Sequence, residues 1–243
     1  MVDKKKVVLS FIDWYRPGYK AGGTITAFGN FVDYLEDAID FKIVTRDCDY
    51  IETKPYANLT SNKWVALSNT MVYYLSNTNI NLKFIKNLMR STTYDWLYVN
   101  GIFSFYFSIL PILLSKNNNC IVNPHGMLSD QAFSVKNFKK RIFINFANGI
   151  GLYKNTIFHV ANEKEGKDVT IRIRKFKGIK IINQLPRKIK ADHIHSKDKS
   201  PSEVSKFVTV SRISIEKGII EVLEALSKTQ KNITLDIYGA VYD

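Results

Sequence analysis

The sequence predicts an α/β fold, a Rossmann-like doubly wound parallel sheet followed by the first strand, helix and strand of a second Rossmann-like domain. Three observations carry that expectation. Short apolar runs such as VVLSFI, FKIVT, DWLYVN, CIVN and TIFHV recur without alternation, as strands buried on both faces do. Stretches of helical period separate them. A glycine or polar residue follows most of the runs, at the strand ends where ligands of open α/β sheets bind.

In chain order, Lys6 to Ile12 reads as a strand and DWYRPGYKAGG as its loop. Thr24 to Leu35 is helical, with Ile25, Phe28, Phe31, Val32 and Leu35 on one face, and Phe41 to Thr45 is the second strand. Short strands are expected at Trp64 to Leu67 and Met71 to Leu75, a helix at Ile80 to Arg90 and a strand at Asp95 to Asn100. Ile102 to Lys116 is expected as one apolar helix kinked at Pro111, since proline lacks the N–H that the helix needs there. CIVNP and TIFHVA read as strands, with helices at Lys136 to Leu152 and Glu163 to Arg174 and a strand at Lys180 to Asn183. Residues 1–183 thus form the expected amino-terminal domain. A Pro-, Lys- and Ser-rich linker spans 184–205, and 206–243 holds strand 207–210, helix 216–227 and strand 233–238.

Composition narrows the class. The chain has 243 residues with 45% hydrophobic and 23% charged side chains, ordinary for a globular protein. The longest apolar stretch, Ile102 to Leu114, is shorter than the ~18 residues needed to span a bilayer. No small-residue cleavage site follows the amino terminus, and two unpatterned cysteines, Cys48 and Cys120, suit a reducing compartment. A cytoplasmic protein is expected. The net charge of +13 is concentrated between Lys136 and Lys190, where 15 Lys or Arg face Glu163, Glu165 and Asp168. A lysine-rich solvated surface and a face that meets an anionic partner both account for this. In KNFKKRIFINFANGIGLYK, Phe138, Ile142, Phe146 and Ile150 recur at helical spacing beside Lys139, Lys140 and Arg141. An interfacial helix on an anionic membrane reads that way, and so does a core-facing helix with a basic outer face. No nucleic-acid motif is present, and no nucleic-acid partner is expected.

The loops hold the chemistry. Gly22-Gly23 opens a helix, either as a tight turn or as a place where backbone N–H groups approach a phosphate. His125 in PHGM stands at a strand end before Gly126; it is a packed histidine or a hydrogen-bonding group for a substrate hydroxyl. His159, inside a strand-like run, reads as packed. Asp47-Cys48-Asp49 is a D-x-D string, which some nucleotide-sugar enzymes use to hold a metal and which is also common by chance. Glu163 starts a helix, where the macrodipole alone favours a carboxylate and a site role is the alternative. Arg212 and Lys217 in VSRISIEKG are two fixed cations suited to a diphosphate, or two solvated charges.

Taken in order and spacing, DWYRPGYKAGGTI, VTRDCD, PHGML, FHVANEKE and VSRISIEKG…LDIYG resemble the family-4 glycosyltransferases of the two-domain GT-B type, especially bacterial enzymes of surface-polysaccharide assembly. The resemblance covers essentially the whole chain. It implies a retaining, hexosyltransferase-type enzyme that uses a nucleotide-sugar donor and a glycan or lipid-linked acceptor, with no cofactor or metal. It also implies peripheral contact with the inner face of an anionic membrane. On matching positions it puts Gly22, Gly23, Arg212 and Lys217 at the donor diphosphate and His125 at the transferred sugar. Tyr15, Arg16, Asn100, Gly126, Glu163, Lys139, Lys140 and Arg141 are the expected acceptor-side contacts. Two departures stand out: PHGM replaces the common PRGM, and no Glu-x7-Glu element lies between Gly218 and Asp243. The family's donor-sugar and base pocket is therefore expected outside this sequence. A non-catalytic chain that keeps the acceptor-domain fold is the alternative.

Overall fold

The computed structural model describes residues 4–115, 119–134, 137–188, 204–211, 213, 217–229, 232–239 and 241. The chain divides into two compact units, Met1–Lys188 and Ile189–Asp243. The first is α/β, built on an eight-stranded, mostly parallel sheet compatible with a Rossmann-like arrangement. Its strands are β1 (Lys6–Phe11), β2 (Ile39–Arg46), β3 (Trp64–Leu67), β4 (Thr70–Leu75), β5 (Trp96–Asn100), β6 (Cys120–Asn123), β7 (Thr156–Val160) and β8 (Gly178–Ile181). Their spatial order is β3-β4-β2-β1-β5-β6-β7-β8, and only β3 runs antiparallel to its neighbour. Because β2 and β5 flank β1 on opposite sides, the winding direction reverses there. Their carboxyl ends form the crevice in which α/β proteins place ligands.

Helices cover the sheet unequally. Helix α1 (Gly23–Leu35) lies on one face, where Phe28 and Val32 pack with Ile43, Val72, Tyr74 and Tyr98. Helices α2 (Leu82–Ser91), α3 (Leu110–Leu114), α4 (Asp130–Ser134), α5 (Asn137–Gly149) and α6 (Glu163–Arg172) follow in the chain. Ile85, Leu88, Ile112, Ile144, Ala147 and Val169 of this set join Leu9, Val99 and Phe158 in the other core. After β8 the chain runs along α1, with Asn30 Nδ2 donating to the Leu185 carbonyl at 2.9 Å and Lys188 reaching the Asp33 carbonyl. Residues 184–188, part of the stretch read from composition as linker, are tied to α1 at Leu185 and Lys188 but stay largely exposed.

Three elements differ from expectation. The long helix through Pro111 is instead a π-helical turn at Phe105–Ile109 followed by the short α3, with Pro111 in its first turn. Proline has no N–H for the carbonyl one turn back, and wider spacing just before it absorbs the mismatch. Strand β8 lies two residues earlier than predicted, and α4 escaped prediction because its five residues show no clear period. Among the described residues no helix is long and apolar enough to cross a membrane.

The second unit comprises β9 (Ser205–Val210), α7 (Ile219–Ser227) and β10 (Ile233–Tyr238), the two strands being parallel. None of its described residues is buried, and Phe207, Val208, Val210 and Leu223 are exposed. One strand–helix–strand layer covers too little of its own sheet to form a core.

Phe158 is fully buried against Tyr153 and Phe176, whereas Phe146 is exposed. Phe158→Ala is expected to lower stability by about 3–5 kcal/mol, and Phe146→Ala to change it by no more than ~0.5 kcal/mol. Chemical denaturation followed by circular dichroism measures both.

Candidate functional site

Local sequence shapes the carboxyl edge. Asn100 ends β5 and Asn123 ends β6, directly paired in register. After Asn123 the chain turns sharply through His125 and Gly126, whose φ angles are +49° and +72°. Glycine adopts the left-handed region freely, while a histidine held there is strained, a condition that clusters at functional positions.

Fixed hydrogen-bond donors determine which way the side chains point. Asn100 Nδ2 donates to the Phe11 carbonyl at 3.1 Å, so its Oδ1 is left to accept from His125 Nε2 at 2.9 Å. That makes Nε2 the protonated ring nitrogen and leaves a lone pair on Nδ1, for which no protein donor exists among the described residues. The His125 backbone N–H donates to Asn123 Oδ1 at 3.0 Å, and Asn123 Nδ2 donates to the Tyr98 hydroxyl at 3.2 Å. Tyr98 in turn donates to His159 Nδ1 at 2.6 Å, and His159 Nε2 donates to the Ile182 carbonyl at 3.2 Å. Burial pushes the His125 pKa down to about 3, with His159 adding to the effect, and burial also lowers that of His159. Both rings are neutral at physiological pH. Tyr98 and His159 are packed by Phe28 and Phe31 of α1, so His159 is a core residue, as its strand position suggested.

Buried carboxylates tie the loops around this relay. Glu165 Oε1 accepts the Gly126 N–H and Oε2 the Ala161 N–H, each at 2.6 Å, joining the loops after β6 and β7. Asp49 accepts the N–H groups of Tyr19, Lys20 and Tyr50 and so fixes the loop after β1. Asp47 accepts the Ser61 hydroxyl at 2.7 Å. The D-x-D string thus latches loops in this chain. At the switch point Asp13 takes a hydrogen bond from Ser104 at 2.9 Å and pairs with Arg46 at 3.4 Å. Burial pushes its carboxyl up against the opposing pull of Ser104 and Arg46.

The expected site residues separate into groups. His125, Asn100 and Gly126 meet at the carboxyl edge. Gly22, at φ +81°, precedes α1, and a side chain at either Gly22 or Gly23 would meet nothing within 4 Å. The amides of Gly23 and Thr24 have no acceptor among the described residues, as the first N–H groups of a helix lack internal partners. Tyr15 is 1% exposed and packs edge-on against Phe28, so its ring belongs to the core. Arg16 forms a two-point pair with Asp33 of α1, at 2.6 and 2.7 Å, which occupies both terminal nitrogens. Glu163 is exposed in the first turn of α6, and the carboxylate that reaches the site is Glu165. Lys139, Lys140 and Arg141 lie on α5, away from these contacts: Lys140 bonds the Ala132 carbonyl and sits over the Phe103 ring. Lys217 is exposed in the second unit, and Arg212 lies outside the described residues.

Sequence reasoning missed Glu165 and Asp13. Glu165 had a signal, since Asn162 caps α6 and accepts the Glu165 N–H in the N-x-x-E pattern of a capping box. Asp13 had only its place just after β1.

Beside His125, Ala27, Phe31, Asn123 and Ala161 line a narrow crevice of about 20 Å³, room for about one water. A larger cavity of about 560 Å³, lined by Lys86, Arg90, Tyr94 and Leu113, lies near the amino-terminal end of β5. It gathers no comparable polar relay. No family model and no curated protein sequence matches this chain.

Two outcomes follow from this geometry. A buried histidine whose folded pKa lies below its ordinary 6.5 stabilises the fold where it is neutral. The unfolded chain binds the extra proton as pH falls from about 6.5 to about 3, so stability declines across that window. Nitrogen NMR is expected to show His125 neutral, with the proton on Nε2, from pH 8 to pH 5; an imidazolium signal in that range would refute the assignment. Glu165→Gln places an amide NH₂ against one of two backbone N–H groups and is expected to cost about 1–3 kcal/mol in chemical denaturation.

Proposed function

We propose that this protein takes part in retaining sugar transfer from a nucleotide-diphosphate-sugar to a glycan acceptor, as a glycosyltransferase of the GT-B type. The observation that carries the reading is the neutral His125, whose Nδ1 lone pair stands at the carboxyl edge of the sheet near its winding reversal. A neutral ring accepts a hydrogen bond from a sugar hydroxyl without placing a cation beside an anomeric centre that itself becomes positive. Four of the five motifs of the resemblance follow β1, β2, β6 and β7 and so share one edge of a parallel sheet. The free amides at the start of α1, with Gly22 and Gly23 presenting no side chain, suit the donor diphosphate. Lys217, and Arg212 by sequence position, supply cations for the charge that develops on the departing nucleotide. No step requires a metal or cofactor, and a lipid-linked acceptor fits the basic first unit.

A second reading, a non-catalytic subunit that needs a partner, is favoured by the absence of any buried residue among those described in the second unit.

Thermal-shift and calorimetric screening of the full chain against nucleotide-diphosphate-sugars tests both. Sugar transfer is expected to bind a donor with affinity reduced about tenfold in Lys217→Ala. His125→Ala is expected to slow donor hydrolysis or transfer on the order of 100-fold with little change in donor affinity. Donor binding without turnover selects the subunit reading, and a chain indifferent to every donor contradicts sugar transfer.

A further inference from the structure

Three segments wall the cavity of about 560 Å³ near the amino-terminal end of β5: the end of α2, the turn at 92–94 and the end of α3. Their composition divides it. Met89, Leu113 and Leu114 make an apolar wall with the Tyr94 ring, and Lys86 and Arg90 supply two cations. These two stand four residues apart on α2 and so share one face of the helix. The turn is fixed from both sides: Lys42 Nζ donates to the Thr93 carbonyl at 3.3 Å, and the Asp95 carboxylate accepts the Val7 N–H at 2.8 Å. A volume of this size suits a small organic molecule.

The cavity is rich in donors and poor in acceptors. Among the described residues no Asp or Glu lines it, and Asp95, next in the chain, is committed to β1. Lys86 and Arg90 enter no ion pair or hydrogen bond among the described residues. The Tyr94 hydroxyl has no hydrogen-bond partner there either. Burial pushes the Tyr94 pKa up, so the hydroxyl stays a neutral donor. The Leu88 carbonyl, which at a helix end would repel an anion, is already taken by the Ser91 and Thr92 hydroxyls at 3.1 and 2.8 Å. The helix dipole alone favours Arg90 in the last turn of α2. It explains neither Lys86 one turn earlier nor the apolar wall beside both.

We propose that this cavity is a binding site for a small organic anion, a carboxylate or phosphate monoester carried on an aromatic or aliphatic body. Arg90 forks onto the oxyanion and Lys86 adds a point charge. Tyr94 donates a hydrogen bond to it, and Met89, Leu113 and Leu114 take the apolar body. The site stands at the opposite end of β5 from Asn100. It requires neither a sugar donor nor turnover, so its failure and that of the sugar-transfer reading are separate results.

Methionine-methyl NMR of the full chain tests it, because Met89 lines the cavity whereas Met127 lies at the carboxyl edge beside Gly101. The chain is titrated with phenyl phosphate, with benzoate and with the neutral benzyl alcohol. At least one of the two anions is expected to shift the Met89 signal saturably, with half-saturation below about 1 mM, and to leave Met127 in place. The tighter of the two identifies the oxyanion. Benzyl alcohol is expected to bind at least about tenfold more weakly. Lys86→Gln with Arg90→Gln is expected to weaken anion binding about tenfold or more. Lys83→Gln, exposed on α2 outside the cavity lining, is expected to change it by less than about twofold. Leu113 is 54% exposed, so Leu113→Trp fills the cavity without disturbing the core and is expected to abolish the Met89 shift. A Met89 signal indifferent to both anions would overturn the proposal. So would equal binding of benzyl alcohol, undiminished binding by the Lys86→Gln, Arg90→Gln pair or by Leu113→Trp, or a Met127 shift that matches that of Met89.

Discussion

Every donor in the polar relay at the carboxyl edge points away from His125. One arm passes through Asn100 to the Phe11 carbonyl; the other runs from the His125 backbone through Asn123, Tyr98 and His159 to the Ile182 carbonyl. The relay touches β1, β5, β6 and β7 and the residue just after β8, and both ends are backbone acceptors whose role cannot invert. The order of the arms fixes both amides, both imidazole tautomers and the tyrosine hydroxyl. Each link is buried or half-buried, so removing one strands a neighbour at a cost of about 1–3 kcal/mol. The left-handed turn at His125 is held against its strain by the same bonds.

Around that relay the loops are positioned by carboxylates accepting backbone N–H groups. Glu165 holds the turns after β6 and β7 in one contact, and Asp49 gathers three amides of the loops after β1 and β2. Charge-assisted bonds of this type are stronger than neutral ones, which lets irregular segments keep a defined shape above the sheet. The open amides of α1 contrast with this satisfied surround.

The strands were legible because a sheet buried on both faces demands unbroken apolar runs, and their alternation with helical periods predicted parallel order. The break at Pro111 resisted because its outcome depends on a carbonyl one turn earlier and on Ser104, which caps the π turn. At the site, His125, Gly126 and Asn100 were legible from position after strands. The pairing of Arg16 with Asp33 and the burial of Tyr15 were not, because both depend on how α1 lies across the sheet. Glu163 and Glu165 look alike in FHVANEKE, and only the helix phase set by Asn162 decides which carboxylate turns inward. For α5 the period was plain but its direction was not, since Phe138 and Ile142 on one side and Phe143 and Ile144 on the other are equally apolar.

The outward orientation of the relay limits what His125 can do with a proton. A proton arriving at Nδ1 would have to leave through Nε2 into an amide oxygen and onward to a backbone carbonyl, neither of which is a competent base. Hopping along the chain is blocked in that direction, and the second arm begins at a peptide nitrogen that does not ionise. The assembly therefore does not carry a proton away from His125, and any chemistry at this edge that releases a proton must pass it to another acceptor or to solvent.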